Sequence, residues 1–187
     1  MRKAIRAAAI VMLLMASPVF AQRHRDPLTD AEIDQIRDTS WEPKLRLPLY
    51  VQFARARLVK LEEARNDPKA KNRARQTHDM LDDFQLLYDE LNDNIDTYVD
   101  RRDDIRKPLK IVIDADTEFQ AKLRALKDAA DVPASELQQY EFVLTNAIES
   151  LDAATDDHRK LLADQEELAK RKKLNKDPSK GTGVSPE

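Results

Sequence analysis

Four polar side chains interrupt two long apolar stripes, and they are the residues best placed to do chemistry. Arg102 and Asp116 interrupt the first stripe, and His158 and Gln165 interrupt the second. Helical bundles build ligand sites between their helices, so such groups could hold a small molecule. The alternative is a polar layer that fixes helix register, as single polar core residues do in coiled coils.

A simple pairing rule predicts which of these side chains meet. If the two stripes fold back across the turn between them, residue i lies opposite roughly residue 264 − i. This places Arg102 between His158 and Gln165, and it places Asp116 near Asn146 and Glu149. We favour the register layer, and the alternative is a ligand-binding site formed by Arg102, His158 and Gln165.

An acidic segment at residues 76–100 is the second candidate, with eight acids and no Lys or Arg. Carboxylates at i and i+4, such as Asp89 and Asp93, can share a hard metal ion. His78 and Asp82 have the same spacing, so these four residues are the predicted metal ligands. The simpler interpretation is a solvated outer face, and a third is a face on which a basic partner docks.

The composition argues against most enzymes. There is no cysteine, and the only two glycines are Gly181 and Gly183. This excludes thiol chemistry, phosphate-cradling glycine loops and the nucleophile elbow. We predict no cofactor and favour a non-catalytic protein; an envelope hydrolase of unfamiliar type stays open as an alternative.

The N terminus resembles an export signal in its pattern. Three basic residues precede a short apolar core at residues 7–16, and Val19 and Ala21 occupy the −3 and −1 sites of cleavage before Gln22. The apolar core is too short for a membrane span. We expect a periplasmic or secreted protein that has no stable span after cleavage.

Removal of that signal changes the charge of the chain. Losing Arg2, Lys3 and Arg6 leaves 29 Lys and Arg against 35 Asp and Glu, a net charge of −6. A moderately acidic protein is a poor candidate for nonspecific nucleic-acid binding. We predict no nucleic-acid partner.

The elements that must position these residues are helices. Apolar residues spaced by three and four run from Leu81 to Leu126 and predict one helix from about Lys69 to Ala130, roughly 90 Å long. Pro108 would kink it. The stripe keeps its phase across Pro108 and no glycine is nearby, so we predict a continuous spine helix.

The other elements follow from caps and prolines. A Thr29–Glu32 capping box predicts a short helix at residues 30–37. Trp41 is expected to dock on an apolar surface, and Pro48 to begin the next helix. The last helix is predicted to run from Ser135 to about Lys173 and to pack antiparallel on the spine. The layout is a signal peptide at 1–21, an N-terminal arm with a short helix at 22–47, a helical bundle at 48–173 and a disordered tail at 174–187.

Together these patterns predict an all-α fold, an elongated antiparallel helical bundle built on one long, Pro-kinked spine helix. The favoured function is an exported, non-catalytic interaction or scaffold protein of the cell envelope. It would bind a protein partner, or itself, through the acidic rows or through leftover apolar surface. The alternative is a periplasmic small-ligand or metal-binding helical protein.

Overall fold

The computed structural model describes residues 26–130 and 132–176, and this part of the chain is helical with no strand. It contains six helices: α1 Asp30–Asp38, α2 Pro43–Asn66, α3 Arg73–Asp100, α4 Arg106–Lys127, α5 Ala134–Leu137 and α6 Glu141–Lys176. The predicted all-α bundle is confirmed. The predicted signal peptide and residues 177–187 of the predicted tail lie outside the described residues.

Helices α2, α3, α4 and α6 pack as an up-down-up-down four-helix bundle. The α2–α3 and α4–α6 pairs are antiparallel hairpins, whereas α2 lies parallel to α4 and α3 lies parallel to α6. Two ion pairs fix the α2–α4 direction: Arg55 with Glu118 at 2.8 Å, and Glu62 with Lys122 at 2.6 Å. The apolar stripes of all four helices therefore face one shared core.

The predicted continuous spine helix is wrong, because the chain reverses between α3 and α4. Arg102 has φ of 62°, in the left-handed region. Its N–H donates to the Val99 carbonyl, and the Asp103 N–H donates to the Tyr98 carbonyl, both at 2.9 Å. This is a Schellman closure, and Arg102 stands where glycine is usual.

Pro108 begins a helix instead of kinking one. It is the third residue of α4, in the first turn, where backbone N–H groups have no intrahelical partner in any case. The apolar phase survives the reversal because Ile105, Leu109 and Val112 point into the same core as the stripe of α3.

The N-terminal arm follows the sequence prediction only in part. The Thr29–Glu32 capping box is present at the start of α1. However, α2 begins at Pro43, so Pro48 lies inside the helix and the predicted connector is shorter. Trp41 does not dock on an apolar surface: it is 53% exposed, and the Arg46 guanidinium lies 4.1 Å from its ring centroid.

The link between α4 and α6 is longer than predicted. It runs from residue 128 to residue 140 and includes the single turn of α5. The last helix therefore begins at Glu141 instead of Ser135, which shifts the pairing of α4 with α6 by several residues. None of the described helices has the length and apolar character that a membrane crossing requires.

Candidate functional site

A buried polar layer crosses the bundle where α3, α4 and α6 meet. The Tyr88 hydroxyl on α3 donates to Oδ1 of Asp116 on α4 at 2.7 Å. Nδ1 of His158 on α6 lies 2.9 Å from the other carboxylate oxygen. Nε2 of His158 lies 3.1 Å from the Asn92 side-chain oxygen, back on α3. The layer thus ties three helices together through one carboxylate.

The layer lies inside the core. Asp116 has no exposed surface and His158 is 4% exposed. Burial and the Asp116 carboxylate raise the pKa of Tyr88 far above its usual range, so its hydroxyl keeps the proton it donates. Both ring nitrogens of His158 lie within hydrogen-bond distance of a side-chain oxygen, Nδ1 of Asp116 Oδ2 and Nε2 of Asn92 Oδ1.

The chemistry open to this layer is limited. An Asp–His pair can activate a nucleophilic hydroxyl as a general base. Here, however, Nε2 of His158 contacts Asn92 instead of a hydroxyl. The nearby Thr155 hydroxyl donates to the Leu151 carbonyl and is fully buried. Each polar atom of the His158–Asp116 pair bonds to protein. This arrangement is consistent with the register layer that the sequence favoured over a ligand pocket.

The predicted ligand-binding residues do not share one set of contacts: His158 lies in the buried layer, and Gln165 lies at the α3–α4 reversal beside Arg102. His158 contacts Asp116, not Arg102. The predicted proximity of Asp116 to Asn146 is wrong, because α6 begins later in the sequence than predicted and pairs with α4 in a different register. Gln165 instead holds the α3–α4 reversal: its side-chain oxygen accepts from the Ile105 N–H at 3.2 Å. Its side-chain nitrogen donates to the Asp103 carbonyl at 3.3 Å. The Arg102 side chain is exposed.

The predicted metal ligands all lie on the outer surface of α3. His78, Asp82, Asp89 and Asp93 are each exposed. Within the described ranges, no three His, Asp or Glu side chains are grouped so that they could hold a metal ion. Partial desolvation, with repulsion from Asp93 and Glu90, raises the pKa of Asp89. The metal site stays a prediction.

The sequence reasoning missed a buried ion pair near the N terminus. Arg57 of α2 is 5% exposed and bonds to both oxygens of Glu32, at 2.8 and 2.6 Å, and to the Pro27 carbonyl. Burial alone would raise the pKa of Glu32, but hydrogen bonds from Arg57 and Thr29 outweigh it and lower the pKa to about 2. The available signal was the position of Arg57 between Ala54 and Leu61 on the inward stripe.

A polar cavity of about 560 Å³ lies between the start of α3 and α5. Arg73, Arg75 and Glu136 are among the residues that line it. Glu136 is shared, at 3.3 and 3.4 Å, by the guanidinium groups of Arg65 and Arg73. Sequence spacing gave no sign of this cluster, because it joins two chain segments about sixty residues apart.

The C-terminal end of α6 extends past the bundle. Gln165 contacts the α3–α4 reversal, and Glu166 contacts Lys110 of α4 at 2.9 Å. We call the following residues, 167–176, the projecting end. Leu168 and Leu174 are 55% and 67% exposed there, and four consecutive cations occupy residues 170–173. All side chains from 170 to 175 are exposed.

No protein-family model matches the chain, and neither a curated protein nor a solved structure matches it.

Proposed function

We propose that this protein is an exported, non-catalytic helical interaction protein of the cell envelope, and that the projecting end of α6 is a docking surface. One observation carries the proposal: α6 continues about 14 Å beyond its last bundle contacts. Solvent-exposed helix of this kind gains little stability from propensity alone. A partner that covers Leu168 and Leu174 would stabilise this segment by burying their apolar surface.

The polar groups of the core support the same choice. Tyr88, Asp116 and His158 bond to one another and to protein atoms, so they serve packing. Two strongly charged features lie on the surface: the acidic face of α3 and the basic projecting end of α6. Charged helix faces suit recognition more than catalysis, because complementary charge speeds association and selects partners.

A photo-crosslinking experiment tests this function. A photoreactive amino acid replaces Leu168 in the full chain, and the matched control carries it at Val59 of α2, which is 39% exposed. We expect a discrete covalent adduct from position 168 in cells and none from position 59. Equal labelling from both positions, or no adduct from position 168, would argue against docking through the projecting end.

The polar cavity favours a second candidate, a periplasmic small-ligand-binding protein. Arg73 and Arg75 outnumber the single acid Glu136 in its lining, so an anionic ligand would suit it. Titration calorimetry with inorganic phosphate and with citrate, on the wild type and on Arg73→Ala, tests the idea. Absence of heat from both anions would remove it.

A further inference from the structure

The outer face of α3 carries a regular acidic stripe. Four aspartates, at successive spacings of four, three and four residues, lie opposite the buried positions of the helix: Asp89, Asp93, Asp96 and Asp100. All four are exposed, and none forms an ion pair with another residue in the ranges described. We call this set the acidic stripe. It is about 16 Å long.

The stripe is electrostatically unfavourable when nothing covers it. The last turn of α3 contains no basic residue, and the C-terminal end of a helix carries partial negative charge. Neighbouring carboxylates on one face add like-charge repulsion. A cationic surface laid along the stripe would relieve both effects.

The projecting end of α6 matches the stripe in charge and in length. It carries four consecutive cations, of which Arg171 contacts Glu167, and it is about 14 Å long. In the same chain, however, α6 runs parallel to α3 and passes beyond its end. The projecting end therefore points away from the stripe of its own copy.

We propose that the partner of this protein is a second copy of the same chain, with the projecting end of each copy lying antiparallel along the acidic stripe of the other. This inference rests on the proposed function, because it names the partner for the same docking surface. Two copies that meet end to end about a two-fold axis make both contacts at once. Such an interface is isologous and closes as a dimer.

Charge-swap variants test the dimer directly. In the first variant Lys170, Arg171, Lys172 and Lys173 become Glu, and in the second Asp89, Asp93, Asp96 and Asp100 become Lys. We expect each variant alone to be monomeric by sedimentation equilibrium. An equimolar mixture should form dimers again. The acidic projecting end of the first variant then meets the basic stripe of the second, and the basic projecting end of the second meets the acidic stripe of the first.

Matched controls separate this effect from a general change of charge. Four exposed lysines outside the projecting end become Glu in the control variant: Lys60, Lys69, Lys71 and Lys127. This variant should dimerise as the wild type does. Raising the salt from about 50 to about 500 mM should weaken the wild-type dimer at least tenfold, because exposed charge pairs are screened. Circular dichroism confirms that each variant is folded.

Four results would overturn the proposal, and the last of them separates it from the proposed function. The first is a wild type that stays monomeric in low salt at millimolar concentration, and the second is a mixture of the two swapped variants that fails to dimerise. The third is binding of the projecting end to vesicles of anionic phospholipid with affinity unchanged by the stripe swap. A crosslinked adduct from position 168 to a different protein would overturn the dimer but leave the proposed function standing.

Discussion

Nδ1 of His158 lies 2.9 Å from Oδ2 of Asp116, and the two residues belong to the same helical hairpin, α4–α6. The other bonds of this pair come from the α2–α3 side, where Tyr88 donates to the carboxylate and the Asn92 side-chain oxygen lies 3.1 Å from Nε2 of His158. The pair therefore links the two hairpins of the bundle, and its removal should destabilise the whole fold.

Asp116→Ala should lower the free energy of unfolding by about 3–5 kcal/mol, because the Tyr88 hydroxyl and Nδ1 of His158 lose their buried partner. The double variant Asp116→Ala/His158→Ala should lose less than the sum of the two single variants. Urea unfolding gives both values. Asp114→Ala, an exposed neighbour, should change stability by about 0.5 kcal/mol or less. Strict additivity of the two core substitutions would contradict the coupling.

Glu32 should make stability depend on acid pH. Its pKa is lowered from 4.5 to about 2 in the folded chain, so the stabilisation is complete above about pH 4.5 and is lost as the pH falls toward about 2. Glu32→Gln should remove about 1–3 kcal/mol at neutral pH and flatten the dependence in that window. Urea unfolding from pH 2 to 7 measures the pH dependence of the free energy of unfolding. Asp34→Asn, whose partner Arg37 is exposed, should keep the wild-type profile.

Arg102→Gly should stabilise the protein by about 1 kcal/mol, since glycine adopts positive φ without the steric cost that Arg102 bears at 62°. The control is Arg101→Gly, one residue earlier, where φ is −71°. Glycine gives no steric relief there, and the variant should be destabilised. The thermal unfolding temperatures of both variants, compared with that of the wild type, test this prediction. A destabilised Arg102→Gly would mean that the Arg102 side chain has a contact role.

Gln165→Ala should loosen the α3–α4 reversal. The Ile105 N–H loses its acceptor, and an unpaired buried donor costs about 1–3 kcal/mol. Hydrogen exchange by NMR should therefore become faster at the Ile105 amide than in the wild type. Asp164→Ala, an exposed neighbour, should leave that rate unchanged. Unchanged protection in Gln165→Ala would show that another group protects this amide.

The sequence predicted the helical class and the inward faces well, because burial follows a 3.6-residue period that Phe53, Ala54, Leu58 and Leu61 display plainly. It missed the reversal at Arg102 for two reasons. A left-handed residue is usually glycine, and the apolar phase happens to continue from α3 into α4. Pattern alone cannot distinguish one helix from two helices that face the same core.

The site was predicted in its residue types but not in its partners. Asp116 and His158 were recognised as polar residues on apolar stripes. Their pairing was missed because the α4–α6 link contains the extra turn of α5, which moves the register of the hairpin by several residues. Arg57 and Glu32 were missed because the ion pair depends on how α1 folds back on α2, which no periodicity encodes.

The order of the helices also bears on how quickly the protein folds. Each antiparallel pair joins helices close in sequence, α2 with α3 and α4 with α6, so many contacts can form before distant segments meet. Helical proteins with such low contact order fold in microseconds to milliseconds. With no cysteine in the chain, no oxidation step delays this process. The slowest event we expect is the docking of two preformed hairpins, which the Tyr88–Asp116 bond completes.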